Sequence, residues 1–261
     1  MTLFLHELKR GRLSLLIWTA AISFMLGVCI IIYPEMATEM NEISDTFANM
    51  GAFSEAFGMD QLNFGEFMGY FGVECGNTLG LGGALFAATL GISMLAKEEK
   101  DRTAEFLLSH PISRAQVLRT KLFAVLAQIL ILNLAVAAVS YGCILIIGEE
   151  PDLRALLLLF LANIFLQLEL AAITFGLSSL LHSGGFGIGL GLALGFYFIN
   201  LLANLTEALK FLKYLTPFGY TDGGQIIQNE TLEWRYLLVG GLFAAAGIFL
   251  AFFHYRKKDI Q

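Results

Sequence analysis

The side chains best suited to acid–base or metal chemistry lie in one short charged stretch. Glu98 and Glu99 are adjacent, Arg102 follows them, and Phe106 and His110 are four residues apart. Carboxylates placed near a histidine can hold a metal ion or act as a general base. This stretch is therefore the first candidate for a hydrolytic site.

The pattern does not support hydrolysis. Intramembrane proteases that process prenylated proteins use E-E-x-x-x-R and F-x-x-x-H on buried helices. Here Arg102 comes one residue too early after Glu98 and Glu99, and the whole pattern lies in a charged loop. Two carboxylates and one histidine in such a loop form no shielded site. We therefore predict no catalytic residues and no metal site in this chain.

Other reactive residues do not change this conclusion. The chain has four histidines, which are dispersed, and three cysteines, an odd number, in or beside apolar stretches. Neither set has the spacing of a disulfide framework or a zinc site. No G-x-x-x-x-G-K-[ST] loop occurs, so no phosphate-binding nest for a nucleotide is present. We predict that the chain is not an enzyme and binds no cofactor itself.

The elements that position these residues are membrane spans. The chain of 261 residues is 57% hydrophobic and 15% charged, whereas soluble domains are about 45–50% apolar and about 25% charged. Six stretches reach the roughly 20 apolar residues that a spanning helix needs. They are residues 13–33, 70–96, 117–148, 153–181, 184–206 and 234–254. We predict an all-α polytopic membrane protein with one transmembrane domain over residues 1–261.

The distribution of Lys and Arg predicts the orientation of these spans. Positive residues near span ends favour the cytoplasmic side. With the N-terminus inside, twelve of the sixteen Lys/Arg face the cytoplasm, and the four outside are Arg154, Lys210, Lys213 and Arg235. We predict a multi-pass protein of the cell membrane with both termini cytoplasmic. Because charge is sorted by side, the net charge of −6 indicates no nucleic-acid partner.

Three segments outside the spans should also be helical. Phe4–Trp18 mixes cations with leucines, as expected of an interfacial helix that faces the anionic lipids of the inner leaflet. Between spans 1 and 2, apolar residues from Met36 to Phe57 recur with helical spacing and predict an amphipathic outer helix. Between spans 5 and 6, Pro217 and several glycines predict two short outer helices around a turn.

The charged island between spans 2 and 3, Lys97–Lys121, has an internal division. Pro111 disfavours helical geometry at the residue before it, and Ser113 with Gln116 forms a capping box. A short helix over Glu98–Leu108 should therefore end before Ser113, where span 3 begins. Its apolar residues 106–108 and its charged rim suit docking into a groove of a soluble partner. A solvated loop between spans is the alternative.

The sequence of this island resembles that of ABC-2-type transporter permeases. The string E-x-x-x-x-T-x-E-x-L-L-S-x-P-I-S-R carries the resemblance, and Lys121 and the Leu215–Tyr220 string LTPFGY agree with it. In place of the large outer domain of the longest family members, this chain has a short outer loop. The resemblance implies that the linker is a coupling helix. Its implied ATPase-coupling residues are Glu98, Glu99, Arg102, Thr103, Glu105, Phe106, Leu107, Leu108, Ser109, Pro111, Ser113 and Arg114.

The same resemblance implies the partners. They are cytoplasmic ABC ATPase subunits, which would bind ATP and Mg²⁺, and a second permease copy or a homologue. The implied function is ATP-driven export by a dimeric permease, with a cargo that the sequence leaves open. The alternative is a membrane scaffold, sensor or assembly factor that binds an ATPase and transports nothing.

Polar residues inside the spans are candidates for the translocation path. A charged Glu169 in mid-span would cost roughly 2.5–3.5 kcal/mol on insertion scales, which marks it as a functional candidate. It could instead be a protonated or paired glutamate that ties span 4 to Gln128 or Asn133 of span 3. Asn200 and Asn204, one turn apart in span 5, could line an exit or bond a neighbour. Small-residue stripes in spans 2 and 5, including Gly187, Gly191 and Gly195, would allow close helix packing.

Overall fold

Six long apolar helices make up most of the computed structural model of this protein, which describes residues 2–48, 56, 66–100, 112–181 and 184–257. The six candidate membrane spans are Leu3–Ala37, Phe67–Glu98, Arg114–Ile147, Leu153–Ser178, Phe186–Leu205 and Trp234–Lys257. The described residues contain no β-strand. The predicted all-helical, multi-pass architecture is confirmed, and each span overlaps a predicted one.

The first helix, α1, is continuous from Thr2 to Ala48. The sequence predicted an interfacial helix before span 1 and a second, amphipathic helix after it. The structure instead joins both segments to the span. Pro34 lies inside α1 without ending it, although a proline removes one backbone donor. The outer part of the predicted amphipathic helix, including Met50 and Phe57, lies outside the described residues.

Span 2 is interrupted by a π-helical turn. It consists of α2 (Phe67–Cys75), a π-helix (Gly76–Leu81) and α3 (Gly82–Lys100). π-Helical turns are rare and occur frequently at functional sites. This one contains Asn77, and nothing in the apolar pattern of the sequence predicted it.

The remaining helices are α4 (Arg114–Ile147), α5 (Leu153–Ser178), α6 (Phe186–Leu205), α7 (Gly223–Asn229) and α8 (Trp234–Lys257). Helix α3 packs on α5 and α6, α1 packs on α4, and α8 packs on α5. Helices α5 and α8 approach closely: a Cβ atom added to Gly176 would lie 2.4 Å from the carbonyl oxygen of Gly247. The absence of a side chain at Gly176 and Gly247 therefore allows this close packing.

Within a single chain, the glycine stripe of span 5 makes no close helix contact. Among the described residues, no atom lies within 4 Å of a Cβ added to Gly187, Gly191 or Gly195. Gly189, on another face of α6, is the tight contact instead, and its added Cβ would lie 3.0 Å from the carbonyl oxygen of Ala88 in α3. Spacing identified a possible stripe but did not determine which face of the helix turns inward.

The segment between α6 and α8 forms short helical elements and no long helix, as Pro217 and the glycines predicted. It forms two 3₁₀ segments, Glu207–Leu215 and Pro217–Tyr220, followed by the short helix α7. The Thr216 hydroxyl accepts a hydrogen bond from the Phe218 amide, and Asp222 Oδ1 accepts from the amides of Gly224 and Gln225. These side-chain caps satisfy donors that the short helices leave unpaired.

Candidate functional site

One end of the helix bundle, here called the terminal end, holds both described ends of the chain. The two described ends of the charged island lie there as well. Arg114, the first residue of α4, donates to the carbonyl oxygens of Tyr255 and Arg256 at the end of α8, at 3.3 Å each. The Ser113 side chain accepts a hydrogen bond of 3.2 Å from the Gln116 amide. The predicted cap and start of span 3 are therefore present in the structure, and the start of α4 is tied to α8.

A buried ion network lies at the same end. Lys121 Nζ of α4 donates to Glu7 Oε1 of α1 at 2.9 Å, to the Met94 carbonyl oxygen of α3 at 2.8 Å, and to Glu98 Oε1. Lys97 of α3 donates to the other oxygen of Glu7. Two lysines and two glutamates thus join three helices, and their formal charges cancel.

The network is shielded from water. The side chains of Lys121, Glu7 and Glu98 are 0%, 1% and 7% exposed, and that of Lys97 is 17% exposed. A lysine ammonium has three donors, and all three of Lys121 have acceptors here. Because a buried charge is costly unless it is paired and hydrogen-bonded, the four side chains depend on one another.

Glu98 was predicted to dock onto a soluble partner, and the structure places its carboxylate against Lys121 inside the bundle. Glu99 lies in the last turn of α3, which ends at Lys100. The remaining predicted coupling residues lie outside the described residues: Arg102, Thr103, Glu105, Phe106, Leu107, Leu108, Ser109 and Pro111. What the structure describes is the base of the island, where it leaves α3 and enters α4.

Asn200 and Asn204, predicted for the translocation path, line one small cavity of about 60 Å³ at the opposite end of the bundle. Asn77, within the π-helical turn, lines the same cavity and accepts a hydrogen bond of 3.4 Å from the Tyr197 hydroxyl. Asn204 donates to the carbonyl oxygen of Ala56 at 3.1 Å. Two spans therefore contribute amide side chains to one polar space, which has room for water-sized groups.

Glu169 lies apart from these asparagines. It is 5% exposed in the middle of α5, and its Oε2 accepts a hydrogen bond of 2.7 Å from the Tyr220 hydroxyl. The alternative in which Gln128 or Asn133 ties Glu169 to span 3 is wrong. Asn133 pairs with Gln167 instead, donating to its Oε1 at 2.7 Å.

The 3₁₀ segment Pro217–Tyr220 lies between the two polar sites. Phe218 lines the asparagine cavity and packs edge-on against Tyr197, with 5.5 Å between ring centroids. Tyr220, two residues on, reaches Glu169. Burial and the neighbouring carboxylate raise the pKa of the Tyr220 phenol well above its ordinary value, so it remains a hydrogen-bond donor.

The described residues contain no cluster of three or more His, Cys, Asp or Glu side chains that could hold a metal ion. A sequence model of the family described as ABC-2 family transporter protein matches residues 1–260. The chain belongs to the ABC-2 transporter family. No curated protein matches the sequence.

As a member of this family, the chain is a permease component of an ABC transporter and a multi-pass membrane protein. Permeases of this type are membrane subunits without a nucleotide-binding domain of their own, which fits the lack of a phosphate loop in the sequence. Family membership also implies ABC ATPase subunits as partners.

Sequence reasoning identified Glu98 and Lys121 in this permease but missed their pairing with Glu7 and Lys97. A usable signal existed, because Glu7 is the only acid among the first thirty residues and is surrounded by cations. Tyr220 as the partner of Glu169 was also missed. The two residues are 51 positions apart in the chain, and no local spacing relates them.

Proposed function

We propose that this permease assembles with separate cytoplasmic ABC ATPase subunits, and with a second copy of itself or a homologue, into an ATP-driven exporter. The terminal end of the bundle faces the cytoplasm, in agreement with the distribution of Lys and Arg. ATP and Mg²⁺ bind to the ATPase subunits. The charged island that leaves α3 at Lys100 receives their movement.

The buried ion network is the observation that carries this proposal. An ATPase that pushes on the island moves the end of α3, and Glu98 and Lys97 connect that end to Glu7 of α1 and Lys121 of α4. Because separating these pairs would leave charges buried without a partner, the three helix ends move as one unit. A force on one short segment is thereby delivered to spans 1, 2 and 3 together.

This arrangement divides the coupling residues into two groups. Glu98 anchors the island to the bundle, and Ser113 and Arg114 anchor its other end through the cap of α4 and the contact with α8. Docking on the ATPase falls to the residues between these anchors. They are Glu99, Arg102, Thr103, Glu105, Phe106, Leu107, Leu108, Ser109 and Pro111.

Asn200 and Asn204 are proposed to contact cargo near the far end of the path. Their cavity adjoins the π-helical turn of span 2, which belongs to the same span as the island's anchor. A displacement of α3 at the terminal end would therefore be transmitted along one span to this cavity.

The test separates docking from anchoring. The tagged permease is purified from its native host, and the ATPase that accompanies it is identified by mass spectrometry. Phe106→Asp should abolish this co-purification. Glu98→Gln should retain the ATPase but weaken the response of the spans to ATP. Glu230→Gln removes one negative charge, as Glu98→Gln does, but from an exposed ion pair at the other end of the bundle, and it should change neither.

The response of the spans can be read from Trp18, whose ring lies 6.4 Å from that of Phe86 in span 2. With Trp234 replaced by Phe, Trp18 is the only tryptophan of the chain. ATP with Mg²⁺ should shift its fluorescence in the complex, and Glu98→Gln should reduce that shift. A complex that binds its ATPase but shows no ATP-dependent shift and moves no substrate would identify a scaffold and overturn the proposal.

A further inference from the structure

A cavity of about 410 Å³ lies between α4, α5 and α8, with Glu169 in its wall. It is separate from the asparagine cavity and from the ion network. Apart from Glu169 and Tyr220, the described residues that line it are apolar or glycine, and none of them is Lys, Arg or His. Its volume falls within the roughly 300–1,000 Å³ of small-molecule sites.

The cavity opens on the lateral surface of the bundle. Leu126 of α4 and Phe165 of α5, both in its lining, are 39% and 38% exposed. These helices are membrane spans, so the opening faces the region occupied by lipid chains. A ligand that reaches this site must partition into the membrane.

Glu169 gives the apolar cavity a single acidic group. Tyr220 donates to its Oε2, and among the described residues no other donor hydrogen-bonds to this carboxyl group. An ionised carboxylate in apolar surroundings is unfavourable until a positive charge accompanies it. A carboxyl group in such a place is either protonated or paired with a cation. The ionised form of Glu169 would therefore favour a cation as ligand, and the apolar walls favour a lipophilic one.

Gly240 of α8 makes room for this carboxyl group. A Cβ atom added to Gly240 would lie 2.1 Å from Glu169 Oε2 and 3.2 Å from Oε1. Any larger residue at this position would displace the carboxyl group from where it now stands. Glycine at position 240 and the Tyr220 hydroxyl together hold Glu169 at the wall of the cavity.

We propose that the cavity between α4, α5 and α8 is a membrane-facing binding site for a lipophilic organic monocation, with Glu169 as its counter-ion. Tyr220 positions the carboxylate, and the apolar side chains of the three spans contact the body of the ligand. The site does not depend on ATPase coupling, because binding is a property of the permease chain itself.

The probe is tetraphenylphosphonium, and tetraphenylborate serves as an anion of closely similar size and shape. Binding of both is measured by equilibrium dialysis on the full-length permease in lipid nanodiscs, against empty nanodiscs. The permease should bind the cation saturably and should not bind the anion saturably. Equal binding of both ions would mean apolar partition alone and would overturn the proposal.

Glu169→Gln keeps the volume of the side chain and removes its charge. It should raise the dissociation constant for tetraphenylphosphonium at least tenfold and leave the retention of tetraphenylborate unchanged or increased. An unchanged dissociation constant for the cation would show that Glu169 serves only to bond Tyr220, and the proposal would fail.

A steric variant gives an independent test. Gly240→Ala should also weaken cation binding, because its methyl group displaces the carboxylate. Gly142→Ala in α4 is the matched control, since no described atom lies within 4 Å of its added Cβ and it is not part of the cavity lining. Monodisperse elution and unchanged helical content confirm that each variant is folded. Equal binding by the two alanine variants would contradict the assigned site.

Discussion

Removal of the Lys121 charge tests whether burial determines how much the ion network at the terminal end contributes to stability. Two ion pairs of the permease have the same N–O distance of 2.9 Å: the buried pair Lys121–Glu7 and the exposed pair Arg154–Glu230. The side chains are 0% and 1% exposed in the first pair and 66% and 44% exposed in the second. Lys121→Gln and Arg154→Gln therefore remove one positive charge at matched geometry and very different depth.

The two variants should differ greatly in stability. Lys121→Gln leaves two buried carboxylates with one remaining ammonium, and breaking a buried pair in this way costs about 3–5 kcal/mol. Arg154→Gln breaks a surface pair worth about 0–1 kcal/mol. At about 1.4 kcal/mol per factor of ten, the first change lowers the folding equilibrium constant on the order of a hundredfold or more. The second changes it by less than tenfold.

The measurement is reversible unfolding by SDS in mixed micelles. It uses the full chain with Trp234 replaced by Phe, so that the fluorescence of Trp18 reports unfolding. Glu98→Gln added to Lys121→Gln should restore part of the lost stability, because the double variant is again balanced in charge. If Lys121→Gln unfolds at the same SDS fraction as Arg154→Gln, burial does not determine the strength of this network. If the double variant is less stable than Lys121→Gln by the full cost of Glu98→Gln alone, the two residues do not interact.

Three further predictions concern packing and polar contacts, with the same unfolding assay. Gly247→Ala should lower the free energy of unfolding by about 1–3 kcal/mol, because its Cβ would lie 2.5 Å from the Ala172 carbonyl oxygen and α5 and α8 would have to separate. Gly142→Ala is the control. No described atom lies within 4 Å of its added Cβ, so it should not lower the free energy of unfolding and can raise it by up to about 1 kcal/mol through helix propensity. Asp222→Asn and Asp222→Ala both remove the carboxylate that pairs with Lys213 at 3.1 Å, and Asn keeps a side-chain oxygen that can cap α7. The two variants should therefore differ by about 1 kcal/mol, and equal stability would mean that the cap contributes nothing. Asn133→Leu should lower the free energy of unfolding by about 0.6–1.7 kcal/mol, because it leaves the amide of Gln167 unpaired in the membrane. Gln167→Leu added to Asn133→Leu should recover most of this loss. Strictly additive losses in the double variant would contradict the pairing.

The six spans could be predicted from the sequence because length and hydropathy are properties of each segment alone. The Ser113 cap was predictable for the same reason, since its partner Gln116 is three residues away. The continuity of α1 was not. Clusters of charge at both ends of the apolar stretch suggested separate amphipathic helices, but a change of environment along a helix does not require a break in its backbone.

The long-range pairings could not be predicted from the sequence, for a physical reason. Helical spacing places residues on a face of one helix, and it does not determine which neighbour that face meets. Glu169 shows this limit, because its partner comes from a 3₁₀ segment that the hydropathy pattern treats as a loop. The same limit applies to α6. Within the described chain its close contact is made by Gly189, and the stripe of Gly187, Gly191 and Gly195 makes none.

The position of the polar groups relates the parts of this permease to one another. Charged side chains that would be costly in the membrane are gathered where the island enters and leaves the bundle, and there they neutralise one another. Two carboxyl groups inside the spans differ from this: Glu74 accepts a weak hydrogen bond from the Cys29 thiol, and Glu169 accepts one from the Tyr220 phenol. Of the two, Glu169 lines the apolar cavity, whose described lining contains no Lys, Arg or His. The network is balanced within the chain, whereas the ionised form of Glu169 would gain from a positively charged ligand. The first arrangement suits transmission of force, and the second suits binding of a cation.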